Sequence, residues 1–326
     1  MERGERGKLI GAVDIGGTKI AVASVDRGGR VLMELSRPTM PEEGFDAALS
    51  HIITMLKTCA SGSMEKFEGI GIGCTGPVDA RTGIIGEVPF LPGWRGRNIV
   101  SELEKASGVS AVLENDADAH ALGEFDWGSG RGASRFIMIT VGTGIGCGMI
   151  FDGRLYRGAG GFHPEIGHHS IDWKSEACSC GSRGCWESAA SGPALAALAL
   201  KRYPEAGWST AKAVCEAAEG GDCRAKALTD EEGEALGIGI ANLITILIPD
   251  VVVLGGGIMK SFDLFAPVVR ATVQKRCRLV PLEHTKILPS GLGGSSGVIG
   301  AAGAWLHRQE ESGTESAGVW QKDGTR

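Results

Sequence analysis

At 326 residues with 43% hydrophobic content, the chain has the length for two medium domains with proper cores. A formal net charge of −6 argues against a nucleic-acid binder that works by neutralising phosphates. No apolar run nears the roughly 20 residues of a membrane helix, and the N-terminal MERGERGK lacks the apolar centre of a signal peptide. Nine cysteines without secretion features fit reduced thiols in a cytoplasmic compartment better than a disulfide framework.

In chain order, LIGAVD (9–14), KIAVASVD (19–26) and GRVLMELSRP (29–38) read as three strands joined by tight turns. A helix is expected over about 44–61, a strand over GIGIGCTG (69–76), a helix near 97–107 and a strand over SAVLEN (110–115), followed by the helical ADAHALGEFDW. RFIMITVG (135–142) and GIGCGMIFDG (144–153) then repeat the strand, glycine turn, strand plan. Helices are expected in 192–202, 210–227 and 231–248, with the strand VVVLGGG (251–257) after them. A helix in 262–277, the strand TKILPSGL (285–292) and a closing helix at 295–308 complete the chain. Residues 309–326 (QEESGTESAGVWQKDGTR) are polar and read as a disordered tail.

Two halves that open alike indicate an internal duplication. The expected fold class is therefore α/β, with two similar domains flanking a cleft. Residues 1–118 with the closing helix 295–308 form the first domain, and 119–294 the larger second one.

The glycine turns sit at strand ends, where ligands bind in such folds. In DIGGTK, Gly16 and Gly17 let backbone amides approach a phosphate, Thr18 adds a hydroxyl, Lys19 a charge, and Asp14 an acceptor for Mg²⁺. A plain hairpin turn is the competing explanation. Thr143 and Gly144 in GTGIG (142–146) supply a matching turn in the second half, so a phosphate clamp is expected. Gly256 and Gly257 of GGG offer bare backbone to a flat ring such as adenine, or simply turn the chain.

ENDAD (114–118) places Asn115 and Asp116 at a strand end. Asp116 is the expected base for a hydroxyl that attacks a phosphoryl group, with Asn115 orienting the hydroxyls. Either residue also suits a helix cap. Cys178, Cys180 and Cys185 in CSCGSRGC, with His168 upstream, have the donor set of a closed tetrahedral zinc site. His169 and His163 are alternative ligands. Glu165 and Glu187 bracket the cluster as acceptors for sugar hydroxyls or as solvated charges. Trp94 reads as a loop anchor.

Together DIGGTK, TGPVD (75–79), PGW, ENDA, GTGIG, ExGH (165–168), CxCGxxGCxE (178–187) and LGGG resemble the ROK family, over residues 9 to about 308. The resemblance implies the actin-like (ribonuclease H-like) ATPase fold and an ATP- and Mg²⁺-dependent hexose kinase with structural zinc. It implies Asp116 as catalytic base and Gly76, Asn115, Asp116, Glu165, His168 and Glu187 as sugar-binding residues. His168, Cys178, Cys180 and Cys185 then bind zinc, His168 serving both ligand sets. Glucokinase is the first choice. Fructokinase or an N-acetylmannosamine/N-acetylglucosamine kinase is the alternative, and a non-catalytic sugar-sensing regulator the alternative of another class. HPEIGHH (163–169) and Phe90 depart from the pattern of many family glucokinases in loops next to the sugar. Only about eight polar residues precede the first strand, which disfavours a DNA-binding repressor. A homodimer without nucleic-acid or membrane partners is expected from the resemblance.

Overall fold

The computed structural model describes residues 8–175 and 177–317, with side chains as far as 311. The chain divides into two compact units. One runs to Gly123 and resumes at Gly294; the other is Glu124–Gly293.

The first unit opens with strands β1 (Leu9–Ile15), β2 (Lys19–Val25) and β3 (Val31–Pro38), then helix α1 (Gly44–Cys59) and strand β4 (Phe67–Cys74). The two-residue strands β5 (Val78–Asp79) and β6 (Ile84–Ile85), helix α2 (Ile99–Ser107), strand β7 (Ala111–Asn115) and helix α3 (Asp116–Trp127) follow. Its sheet has the order β3-β2-β1-β4-β7. β1 is antiparallel to β2 and parallel to β4, which is parallel to β7.

The second unit contains β8 (Arg135–Val141), β9 (Ile145–Phe151), the short β10 (Arg154–Leu155) and helices α4 (Trp186–Ala190), α5 (Gly192–Arg202), α6 (Ala211–Glu219) and α7 (Cys223–Leu247). Strand β11 (Val251–Gly255), helix α8 (Phe262–Arg276) and strand β12 (Lys286–Pro289) complete it. Its sheet has the order β10-β9-β8-β11-β12. Again the first hairpins are antiparallel and the later pairings parallel. The duplication read from the sequence is thus a repeated sheet topology.

The last helix, α9 (Ser296–Ala317), belongs to the first unit. It explains why β1 is apolar at nearly every position, because that strand is covered on both faces. Ile10 and Ala12 pack with Val298, Ala301, Ala302 and Trp305 of α9. Val13 and Ile15 face Phe45, Ile52 and Leu56 of α1. In the second unit, Ile137, Ile139 and Val141 anchor a core shared with α4 to α8. Trp94 is buried, with its ring edge-on to Phe45 at 5.0 Å. It anchors its loop.

Two expectations need correction. The helix expected over 210–227 is two helices, α6 and the start of α7. Gly220 and Gly221 interrupt it, Gly221 at φ 91°, and Asp222 caps α7 by accepting from the Arg224 and Ala225 amides. The hydrophobic periodicity runs through both, so it hid the break. The tail expected from 309 is helical as far as Ala317; the good helix formers Gln309, Glu310 and Glu311 and an Arg308–Glu311 ion pair carry α9 into it. The remainder of that tail, 318–326, lies outside the described residues. Among the described residues no helix is long and apolar enough to cross a membrane.

Candidate functional site

In the first unit the register brings the chemistry to one sheet edge. Asp14 pairs with Gly73 across β1 and β4, and Cys74 pairs with Asn115 across β4 and β7. The carboxyl ends of three adjacent parallel strands therefore deliver Asp14, the TGP turn and Asn115–Asp116 to the same side.

Asp14 is desolvated, and burial raises its carboxyl to about 6; Lys19 opposes the shift and Glu34 adds to it. Its side chain abuts the first turn of α9, where a β-carbon at Gly297 would lie 2.2 Å from Oδ2. Any side chain at Gly297 would push the Asp14 carboxylate from this position. In the turn after β1, Gly16 donates its amide to the Lys19 carbonyl, and the Thr39 hydroxyl donates to the Gly16 carbonyl at 2.7 Å. Thr18 and Lys19 are exposed. Phe90, about half exposed, rests on this turn, its Cβ 3.0 Å from where a Gly17 side chain would begin.

In ENDAD the two side chains meet the start of α3 differently. Asn115 is buried, and its Oδ1 accepts the Ala117 and Asp118 amides, which makes it the cap of α3. Its Nδ2 is 2.8 Å from the position of a β-carbon at Gly76. Asp116 stands one residue later in the first turn of α3, half-buried, with Oδ1 accepting the Ala117 amide at 2.9 Å. The Ala117 amide is thus shared between the Asn115 and Asp116 side chains.

In the second unit the turn 142–144 joins β8 to β9, and the glycine turn at 255–257 follows β11. Both lie at the same end of two adjacent parallel strands, Thr140 pairing with Gly255. Gly142 accepts the Gly192 amide from the start of α5 at 2.8 Å, a contact that sequence reading missed. The signal was the SGP triplet, a cap followed by proline at the start of a helix. Thr143 is exposed.

Four ligand atoms, one each from His168, Cys178, Cys180 and Cys185, lie within 4.8 Å of one another. Cys180 Sγ is 3.6 Å from Cys185 Sγ, and Cys178 Sγ is 3.7 Å from His168 Nδ1. A tetrahedron with metal–sulfur bonds of about 2.3 Å has edges of roughly 3.8 Å, so the group fits such an ion. The thiols titrate apart: the Cys180 backbone amide leads in holding Cys178 below the usual range, whereas burial pushes Cys185 up. His169 is outside the cluster. Its Nδ1 is 2.6 Å from the Ile166 carbonyl oxygen, its Nε2 is 3.3 Å from Asn242 Nδ2, and its ring packs on Trp186.

The two acidic residues beside the cluster differ. Glu165 is exposed, immediately before the helical turn that carries His168. Glu187 is half-buried in the first turn of α4, and its carboxylate accepts the Ile145 amide at 2.9 Å. A β-carbon at Gly144 would fall 2.3 Å from Glu187 Oε2, so glycine is required for this approach. Glu187, two residues beyond Cys185, thus ties the cysteine loop to the end of the 142–144 turn.

Comparison with known proteins agrees with this layout. A model of the ROK family matches residues 10–309. The glucokinase of Thermotoga maritima is 33% identical over 312 residues, 90% of this chain and 96% of that protein. The xylose repressor of Bacillus subtilis is 29% identical, over 88% of this chain and 74% of its own length. Among solved structures, the ROK family glucokinase of Streptomyces griseus in complex with glucose and AMPPNP superimposes with a TM-score of 0.81 at 33% identity, covering 92% of this chain and 99% of that one. The matched span takes in both repeated sheets and every motif described above, and the chain belongs to the ROK family.

Proposed function

We propose that this ATP-dependent sugar kinase is a glucokinase that transfers the γ-phosphoryl group of ATP to the 6-hydroxyl of glucose. The observation that carries the reading is that Asp14 and Asp116 arrive at the carboxyl ends of parallel strands of one sheet. Asn115 caps α3, and the half-buried Asp116 carboxylate beside it is the acid of that strand end that suits proton transfer. Two relatives that match over 96% of their own length, at 33% and 32% identity, are glucokinases.

In this reading the sugar hydroxyl donates its proton to Asp116 as its oxygen attacks phosphorus. Asn115, Glu165, Glu187 and the backbone at Gly76 receive the remaining hydroxyls. The turn at Gly16–Lys19 and the turn carrying Thr143 and Gly144 hold phosphate oxygens, and Gly256 and Gly257 give the nucleotide bare backbone. Asp14 would hold Mg²⁺, which when bound neutralises charge on the phosphates. His168, Cys178, Cys180 and Cys185 would hold zinc as a structural ion. With Nδ1 turned to the thiols, His168 keeps Nε2 for a sugar hydroxyl. Glu187 then places acceptor, zinc loop and phosphate turn in one rigid piece.

ADP release over a panel of glucose, fructose, mannose, glucosamine and the N-acetylhexosamines tests the assignment. Glucose gives the highest kcat/KM, and Asp116→Ala loses roughly 10²–10⁴-fold in kcat, as expected for a general base, while glucose still binds. A different preferred sugar removes the glucokinase reading. Binding without turnover of any sugar replaces it with a sugar-sensing regulator, the class to which the repressor relative belongs.

A further inference from the structure

Two of the proposed zinc ligands are each followed at once by a residue that anchors them. His169 comes after His168, and Trp186 after Cys185. The anchors meet: the Trp186 amide donates to the His169 carbonyl at 2.9 Å, and the two rings pack edge-on with centroids 5.4 Å apart. Beside them Ser170 and Cys185 form an antiparallel bridge, and the Ile171 amide donates to the Gly184 carbonyl.

Both anchors are received by one face of α7. The Trp186 indole N–H donates to the Ala235 carbonyl at 3.0 Å, its ring fills the place of a side chain at Gly239, and Asn242 Nδ2 is 3.3 Å from His169 Nε2. Residues 235, 239 and 242 follow the spacing of a single helix face. At its other ring nitrogen, His169 Nδ1 is 2.6 Å from the Ile166 carbonyl oxygen, which also accepts the His169 amide at 3.1 Å. A carbonyl oxygen only accepts, so Nδ1 carries the proton and Nε2 accepts from the Asn242 amide group. On the opposite side Gly167 is buried against Ile145, whose carbonyl oxygen would lie 2.5 Å from a β-carbon at Gly167. The turn that carries His168 is therefore wedged between the start of β9 and α7. We propose that His169 is a positioning residue that fastens this turn to α7 through Asn242 and Trp186, and so sets where Glu165 and His168 stand relative to Cys185 and Glu187. A ring with two nitrogens suits the task, because it reaches a carbonyl and an amide at once and still packs its flat side on the indole. The inference rests on the kinase reading, in which this turn serves zinc and sugar together.

The experiment compares wild type with His169→Phe, which keeps a ring for Trp186 and removes both side-chain hydrogen bonds, and with Asn242→Ala, which removes one partner at a half-buried position. Zinc passes to a coloured chelator roughly 10- to 100-fold faster from either variant, the usual cost of losing a group that orients a ligand. Glucose affinity by calorimetry falls about tenfold, whereas affinity for a non-hydrolysable ATP analogue stays as in the wild type, because Glu187 still holds the 142–144 turn. The double variant is no worse than His169→Phe, since both changes break one contact. Wild-type zinc release and glucose affinity in the folded variants overturn the proposal, and so does an equal loss of glucose and nucleotide affinity, the mark of a general loosening. If His169→Phe does not fold, Asn242→Ala decides by the same readings. Nitrogen-15 spectra of the histidines give a reading that needs neither zinc nor turnover: a His169 proton on Nδ1 supports the proposal, and one on Nε2 overturns it. Failure of the kinase reading is recognised separately, as absence of turnover by the wild type with every sugar.

Discussion

At the scale of single residues, function here depends on how each carboxylate is surrounded. Asp116, Asp14 and Glu187 are all acids near glycine turns, yet one stands beside a cap, one is desolvated and one is tied to an amide. Asp14 yields a pH prediction. Burial raises its carboxyl to about 6, so below that pH it is protonated and cannot ligate a cation. The KM for Mg·ATP therefore rises as pH falls from 7.5 to 5, by up to about tenfold per unit below 6, while the glucose KM changes much less. The nucleotide's own phosphate titrates in the same range, so the readout is the difference from Asp14→Asn. That variant has a raised KM at pH 8 and loses the extra acid dependence. Parallel pH profiles for the two proteins would contradict this role for Asp14.

At the scale of elements, the strands and turns were legible because each is a short apolar run stopped by glycine, and every strand from β1 to β12 longer than two residues was anticipated within a few positions. The cysteine spacing likewise gave the His168 cluster. What stayed hidden were joints between distant segments: Glu187 to the Ile145 amide across 42 residues, and Glu124 to the Leu292 amide across 168. No local pattern encodes such pairs, since each depends on where two turns arrive after folding. The break between α6 and α7 was hidden for the opposite reason, a periodicity that continues past the Gly220–Gly221 pair. The Glu187 joint makes the cysteine loop and the 142–144 turn one mechanical element, and a variant can test whether the proposed zinc and sugar sites depend on each other. Cys180→Ser loses zinc, measured by elemental analysis as about one ion per chain in the wild type, and raises the sugar KM at the same time. Cys223→Ser, at an exposed cysteine outside the cluster, keeps both. A zinc-free Cys180→Ser protein with wild-type sugar KM would separate the cluster from the sugar site.

At the scale of the whole molecule, each unit has its own core, and the second contains a flaw that makes stability depend on pH. Glu232 of α7 is 2% exposed, and neither carboxylate oxygen has a hydrogen-bond partner. Burial raises it to about 8, and its proximity adds to the burial that pushes the Cys215 thiol up to about 11. The sign follows from proton binding. Between pH 4.5, the ordinary value, and about 8, the folded chain keeps a proton that the unfolded chain has released. Unfolding therefore releases a proton, and stability declines as pH rises, by up to about 1.4 kcal/mol per unit, levelling above pH 8. Glu232→Gln keeps the shape and an uncharged polar end, so the two proteins match near pH 4.5, where the glutamate is neutral in the fold. Toward pH 8.5 the variant becomes the more stable by a few kcal/mol, an upper figure because a partly opened core would admit water to the charge. Calorimetric melting at pH 5, 6.5 and 8.5 reads this directly as a gap in Tm that widens with pH. A gap that stays constant or narrows would mean that Glu232 is ionised and solvated in the folded protein.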